Sequence, residues 1–255
     1  LTGKLEALWA TKTPRDEWWS SFVTAPLGIA ANYVAVEYVW ITPNRITLAS
    51  FLVAVLAALC MVIGGTANFA TAALLIHLSH VLDCMDGQMA RYRKISSALG
   101  SYADRLTDQV QVTLWFGAAG YAAYLQTQDA EPLLLAFIGV AFYGLRGYAK
   151  YVAVEIGMSD DPDFQAKLAA SRVQPVTAGL GFGLRANLWW LLREQRKIIE
   201  FDEGVFIFML GAALLLDALM PMLWVFAVSQ LILGLFRALQ HGLRIHANAE
   251  PSIQK

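Results

Sequence analysis

Charge is scarce in this chain. Only 15% of its 255 residues are Asp, Glu, Lys or Arg, while 57% are hydrophobic; soluble domains carry about 25% charged residues. The formal net charge of −1 says nothing about nucleic-acid partners, and none is expected. Cysteine is nearly absent. Cys60 and Cys84 stand far apart with no CxxC spacing, which argues against a disulfide framework or a thiolate metal site and leaves them as small apolar packing residues. There is no internal repeat and no low-complexity tract. The glycines of "TAGLGFGLR" make no GxGxxG fingerprint and follow no strand, so no dinucleotide role is assigned.

Long uncharged runs take the place of charge. Ile46 to Leu82 holds no charged residue, enough for two spans of about 20 residues each, with "GGTAN" (Gly64 to Asn68) as the turn between them. Further uncharged runs cover Gln109 to Gln128, Pro132 to Leu145, Gly204 to Leu216 and Ala218 to Phe236. The pattern predicts an all-α integral membrane protein with six transmembrane helices, at 45–64, 68–92, 98–125, 132–156, 203–218 and 221–243. These fill one membrane domain over 43–245, with a segment at 158–202 between the fourth and fifth helices and a tail at 246–255. Thr42 or Asn44 of "TPNR" caps the first span. Residues 1–42 precede it. Their stretch "DEWWSSFVTAPLGIAANYVAVEYVW" reads as an amphipathic helix in the headgroup layer, broken by Pro26, rather than as a seventh span. A second interfacial helix is expected around Trp189 and Trp190.

Basic residues set the expected orientation. Arg91, Arg93 and Lys94 follow the second helix, and the 158–202 segment holds Lys167, Arg172, Arg185, Arg193, Arg196 and Lys197. The opposite loops hold only Asp129, Glu131 and Asp217. Both termini and the 82–104 region are therefore expected to face the cytoplasm.

Four aspartates stand out against this background: Asp83, Asp86, Asp104 and Asp108, within "LDCMDGQMARYRKISSALGSYADRLTDQV". A carboxylate at membrane depth is costly unless paired, hydrated or bound to metal, so such a cluster marks a functional site. Helical spacing puts Asp83, Asp86, Gly87 and Ala90 on one face, and Gly100, Asp104 and Asp108 on one face of the next helix. The short basic connection at 91–97 predicts antiparallel packing with these faces opposed. Four like charges so close cannot all stay ionised alone. An oxygen-only donor set favours Mg²⁺ or Mn²⁺ over Zn²⁺. Gly87, Ala90 and Gly100 remove bulk beside the carboxylates, and Arg91 suits an anionic phosphate. Together they suggest a phosphoanhydride held by two metal ions.

Written out, the pattern is D-x2-D-G-x2-A-R-x8-G-x3-D-x3-D, from Asp83 to Asp108. It resembles in full the signature of the CDP-alcohol phosphotransferase family, membrane enzymes that make phospholipids and related phosphodiesters. Eight fixed positions at about 7% background each give a chance match of roughly one in ten million for a chain of this size. The resemblance implies that Asp83, Asp86 and Asp104 bind metal and the nucleotide diphosphate. It further implies that Asp108 helps hold metal and acts as general base on the acceptor hydroxyl. Gly87, Ala90 and Gly100 would line the nucleotide pocket and Arg91 would touch phosphate. The donor implied is CDP-linked, most commonly CDP-diacylglycerol, and the acceptor a small polar alcohol; CDP-ethanolamine, CDP-choline or CDP-inositol would serve a headgroup transferase. The family also implies a homodimer in contact with membrane lipid.

Other polar residues are weaker candidates. Arg105 follows Asp104 and can pair with an acidic neighbour or reach phosphate. Arg146 and Lys150 share a helix face and offer an anion site that Arg172 and Arg185 would complete, or else snorkel to the interface. His77 and His80 read as packed or hydrogen-bonded residues rather than ligands. A divalent-cation transporter is the competing class, but it has no use for Arg91 and the fixed glycines and predicts acids at several depths. An aspartate-rich membrane prenyltransferase lacks the G-x2-A-R element.

Overall fold

A computed structural model of the chain describes residues 2–13, 17–170, 184–193 and 203–249. Among them the secondary structure is entirely helical. The elements are α1 (Thr2–Trp9), a π-helical turn (Ser20–Thr24) leading into α2 (Ala25–Ala35), α3 (Pro43–Ile63), α4 (Thr66–Tyr92), α5 (Ala98–Thr127), α6 (Glu131–Asp160), α7 (Phe164–Ala170), α8 (Leu184–Arg193), α9 (Glu203–Leu215) and α10 (Leu219–Ala249). Among the described residues four helices are long and apolar enough to cross a membrane: α3, α4, α6 and the Leu219–His246 part of α10. The other two expected spans fall on α5 and α9. The 30 residues of α5 include Asp104, Arg105 and Asp108, and α9, with 13 residues, is apolar but short. At 1.5 Å per residue α9 extends about 20 Å, less than a hydrocarbon core of about 30 Å.

The helix ends follow local chemistry. Thr42 caps α3 in an extended conformation, its side chain accepting from the Arg45 N–H, with Pro43 at the first helical position. Gly64 and Gly65 turn the chain into α4 with φ of +76° and +86°, a region that side chains with a Cβ rarely adopt. Ser97 caps α5 by accepting from Gly100 N–H at 3.0 Å.

The N-terminal segment lacks the break expected at Pro26. Helical backbone continues through Pro26 because the π-helical turn at Ser20–Thr24 absorbs the irregularity that a missing N–H imposes, with proline near the start of α2. Glu17 caps this helix, its carboxylate accepting from Trp19 N–H at 2.6 Å and Ser20 N–H at 2.9 Å. The inward face mixes polar and small residues (Ser20, Ser21, Thr24, Gly28, Asn32) with apolar Ala25, Ile29 and Ala35, while Leu27 and Val34 point outward. Trp18 and Trp19 pack on Phe208 of α9, with ring centroids 5.1 and 4.8 Å away.

The bundle is organised around α3, which packs against both α4 and α5. Ser50 Oγ donates to Ser79 O of α4 at 2.8 Å, and Trp115 Nε1 of α5 donates to Ala54 O at 3.0 Å. Buried alanines at 54, 57, 58, 72, 73, 118, 119, 122 and 123 let these backbones approach closely, the device by which apolar helices associate without a hydrophobic driving force. Around them sit Phe206 and the stacked pair Phe116–Phe226, 3.5 Å apart at 8°. Next to this pair α10 packs along α6, where Gly139 leaves room for the Phe226 ring. One expectation is corrected here: α4 and α5 do not pack closely on each other. α3 holds both, and a space remains between them at the aspartate end.

Candidate active site

That space is where the acidic side chains meet. Asp83 projects from α4, and Asp104 and Asp108 from α5; one carboxylate oxygen from each lies within 4.8 Å of the others. Asp83 Oδ1 and Asp108 Oδ1 are buried without a hydrogen-bond partner. Buried polar atoms are normally satisfied, so orphaned oxygens facing one another need a cation or donor between them. The donor set is all oxygen, which fits a hard divalent ion such as Mg²⁺ or Mn²⁺. Asp86, 6% exposed, is held separately: the Thr47 hydroxyl of α3 donates to its Oδ2.

Asp86 and Asp104 line a cleft of about 260 Å³ between α3, α4 and the start of α5. Its walls are Thr42, Pro43, Asn44 and Thr47 from α3 and its cap, Gly87, Ala90 and Arg91 from α4, and Ile95, Ser96, Ser97, Gly100 and Ser101. The size sits near the small end of ligand clefts. Gly87 has a specific reason to be glycine, since a Cβ there would lie 3.1 Å from an Arg91 guanidinium nitrogen. The Arg91 side chain folds back over Gly87, steadied by Nε donating to Thr11 O at 2.7 Å. Gly100 lies beside Ser97 Oγ and Asn44, where a Cβ would crowd the cap.

The motif end of α4 is anchored by long-range polar contacts. Asn32 Nδ2 donates to Met85 O at 2.8 Å, and Gln88 Nε2 to Ala25 O at 3.0 Å. Arg93 donates to the carbonyls of Ile41, Val36 and Tyr38, tying the α2–α3 connection to the helix end. Removing Asn32 or Gln88 leaves a buried carbonyl to be satisfied elsewhere.

Comparison with known sequences decides what this acid-lined cleft belongs to. The sequence pattern of the CDP-alcohol phosphatidyltransferase family matches residues 40–228, most of the chain and the whole of the cleft.

The chain belongs to this family.

The family assignment supports transfer of a phosphoryl group from a CDP-alcohol, with divalent-metal dependence as the general rule. Among curated relatives the chain is similar to the "Bifunctional IPC transferase and DIPP synthase" of Thermococcus kodakarensis, 28% identical over 130 residues. The match covers 51% of this chain and 29% of the relative, so the chain spans under a third of that protein's length.

The remaining candidates are dispersed. Arg105 is exposed beside Asp104. The Arg146 guanidinium lies over the Tyr143 ring at 5.0 Å, and Lys150 is exposed four residues further along α6. Neither lines the cleft beside Asp86. Arg185 is exposed on α8, and Arg172 lies outside the described residues. Thr47, Thr11 and Asn44 are cleft or support residues that the motif reading left out. Thr47 follows the Thr42 cap by about one turn, a local signal that it faces the aspartate helix. Thr11 is 80 residues from Arg91, and nothing local announces that contact.

Proposed function

We propose that the enzyme transfers a phosphatidyl group from CDP-diacylglycerol to a small polar alcohol, with release of CMP, as a step of phospholipid synthesis. The observation that carries the transfer is the convergence of Asp83, Asp104 and Asp108 beside a cleft that Asp104 lines together with Asp86 and Arg91. In this reading Asp83, Asp86, Asp104 and Asp108 hold two divalent ions, and Gly87, Ala90 and Gly100 line the nucleotide site. When bound, the ions supply charge neutralisation at the diphosphate. Arg91 presents its guanidinium to a phosphate oxygen, positioned by Thr11 O and free of crowding from residue 87. Asp108 accepts the proton of the acceptor hydroxyl as its oxygen bonds to the β-phosphorus. The bond from that phosphorus to the bridging oxygen breaks, and CMP leaves with the bridging oxygen.

A lipid-linked donor is supported by the flank of the cleft. Leu99, Tyr102 and Leu106 of α5 are exposed at helical spacing, next to the cleft residues Gly100, Ser101 and Asp104, and Ile95 at the rim is exposed as well. This apolar stripe offers a path for acyl chains from the diphosphate into lipid. In the membrane the six helices α3, α4, α5, α6, α9 and α10 act as spans. The short α9 is supplemented by its flanks, and cleft and termini face the cytoplasm. The outward apolar faces of the bundle serve lipid contact and a homodimer interface.

A second reading, transfer of a headgroup phosphate from CDP-ethanolamine, CDP-choline or CDP-inositol, is favoured by one finding. The curated relative is by name a bifunctional IPC transferase and DIPP synthase. Arg146, Lys150, Arg172 and Arg185 are proposed to serve a phosphate-bearing acceptor in either reading. The deciding experiment is a CMP-release assay of the purified protein against a panel of CDP donors and alcohols with Mg²⁺ or Mn²⁺. Turnover with CDP-diacylglycerol supports the first reading, turnover only with a CDP-headgroup supports the second, and no CMP from any pair sinks both.

A further inference from the structure

A second cluster lies on the far side of Asp83 from the cleft. His80 precedes Asp83 by three residues and shares its face of α4. Glu203 opens α9, which packs along α4. One donor atom from each of His80, Asp83 and Glu203 falls within 4.8 Å of the other two. His80 Nδ1 stands 3.9 Å from Glu203 Oε1, beyond hydrogen-bond distance.

The imidazole supplies an independent observation. His80 is only 5% exposed, and its two nitrogens are treated differently. Nε2 lies 2.8 Å from Ser20 Oγ of the N-terminal helix, whereas Nδ1 is buried with no hydrogen-bond partner. An orphaned imidazole nitrogen beside two carboxylates is an unusual arrangement, because either tautomer or the imidazolium would normally find a partner there. With Nε2–H donated to Ser20, Nδ1 carries its lone pair toward Asp83 and Glu203. That outer hydrogen bond fixes tautomer and ring orientation, as in histidine–metal centres generally.

We propose that His80 Nδ1, Asp83 and Glu203 form a further divalent-cation site of mixed nitrogen and oxygen donors, adjoining the all-oxygen aspartate cluster and sharing Asp83 with it. One imidazole with two carboxylates suits a transition ion such as Mn²⁺ or Zn²⁺ better than Mg²⁺. Glu203, whose side chain is 37% exposed, is the point of entry; the other two donors lie deeper. An ion here joins α4 to α9. Through the Ser20–His80 bond it also couples the N-terminal helix to the orientation of Asp83. The site is argued from its own donors and stands whichever donor substrate the enzyme uses.

The test is pulsed EPR of the full chain loaded with Mn²⁺, supported by elemental analysis. The aspartate cluster contains no nitrogen donor, so ¹⁴N modulation reports the histidine site alone. The expected result is ¹⁴N coupling in the wild type that disappears in His80→Ala with loss of one ion per chain. It also disappears in Glu203→Gln at Mn²⁺ concentrations that saturate the wild type, and it persists in Asp104→Asn. Glu203→Gln leaves the Ser20–His80 bond intact and guards against a folding defect in His80→Ala. Absence of ¹⁴N coupling in Mn²⁺-treated wild type, or coupling that survives His80→Ala, overturns the proposal.

Discussion

Replacing Gly87 by alanine separates the chemistry of the cleft from the stability of the bundle. The added Cβ would lie 3.1, 3.4 and 3.6 Å from NH1, NH2 and Cζ of Arg91, with nothing else closer. The obstructed group is thus the far end of a flexible side chain and not a backbone, and a shift of a few tenths of an ångström relieves it. Gly→Ala within a helix is worth about 1 kcal/mol in favour of the variant, so the folded state loses little and its unfolding temperature stays level or rises. Catalysis does not escape so lightly. The displaced guanidinium gives up its alignment on the donor diphosphate, a charge-assisted bond worth about 1.5–3 kcal/mol. At 1.4 kcal/mol per factor of ten, kcat/KM for the CDP donor falls roughly 10- to 150-fold. Arg91→Ala should show a loss of similar size, and the double variant little more than either alone, since both remove one interaction. The assay is CMP release at subsaturating donor beside thermal unfolding in detergent. Unchanged kinetics in Gly87→Ala, or a drop in unfolding temperature that accounts for the lost activity, would falsify the assignment of Arg91 and its glycine.

Other substitutions probe separate parts of the structure. Asp108→Asn is expected to keep nucleotide binding by calorimetry while lowering the rate of CMP release by about 10²–10⁴, the usual contribution of a general base; normal turnover removes that role. Asp83→Asn should weaken Mn²⁺ binding itself, read by calorimetry with a CDP-linked ligand, because the variant keeps the shape but loses a charged donor. Gly139→Ala is the stability counterpart of Gly87→Ala. Its Cβ would overlap the Phe226 ring, which is stacked on Phe116 and cannot yield, so a net loss of about 1–3 kcal/mol is expected on thermal or denaturant unfolding. A variant as stable as the wild type would show that α6 and α10 are less tightly locked than their packing implies.

The parts of the fold legible in the sequence are those set by neighbours along one helix. The Thr42 cap, the Gly64–Gly65 turn and the grouping of Asp83 with Asp86, and of Asp104 with Asp108, follow from local spacing and backbone preference. Pro26 misleads the same reasoning, because a proline is read as a break unless a π-helical turn takes up its missing donor. Glu17 misleads it too. A carboxylate in an aromatic-rich segment reads as a headgroup-facing residue, yet it is 3% exposed and caps the N-terminal helix against Gly204. Burial of that kind depends on a chain segment nearly two hundred positions away.

Composition and periodicity alone therefore determined a helical, lipid-adapted chain with two acid-bearing faces and an arginine placed beside them; the family came from the resemblance of the full motif to a known signature. The tertiary structure decided how the faces meet: α3 stands against both acidic helices, so carboxylates reach across an open space and a cleft exists at all. It also brought Thr47 to Asp86, Thr11 to Arg91, and Ser20 and Glu203 to His80. Helical spacing is a property of consecutive residues, whereas distances between helices depend on where small side chains on several partners allow close approach. Only the assembled bundle contains that information.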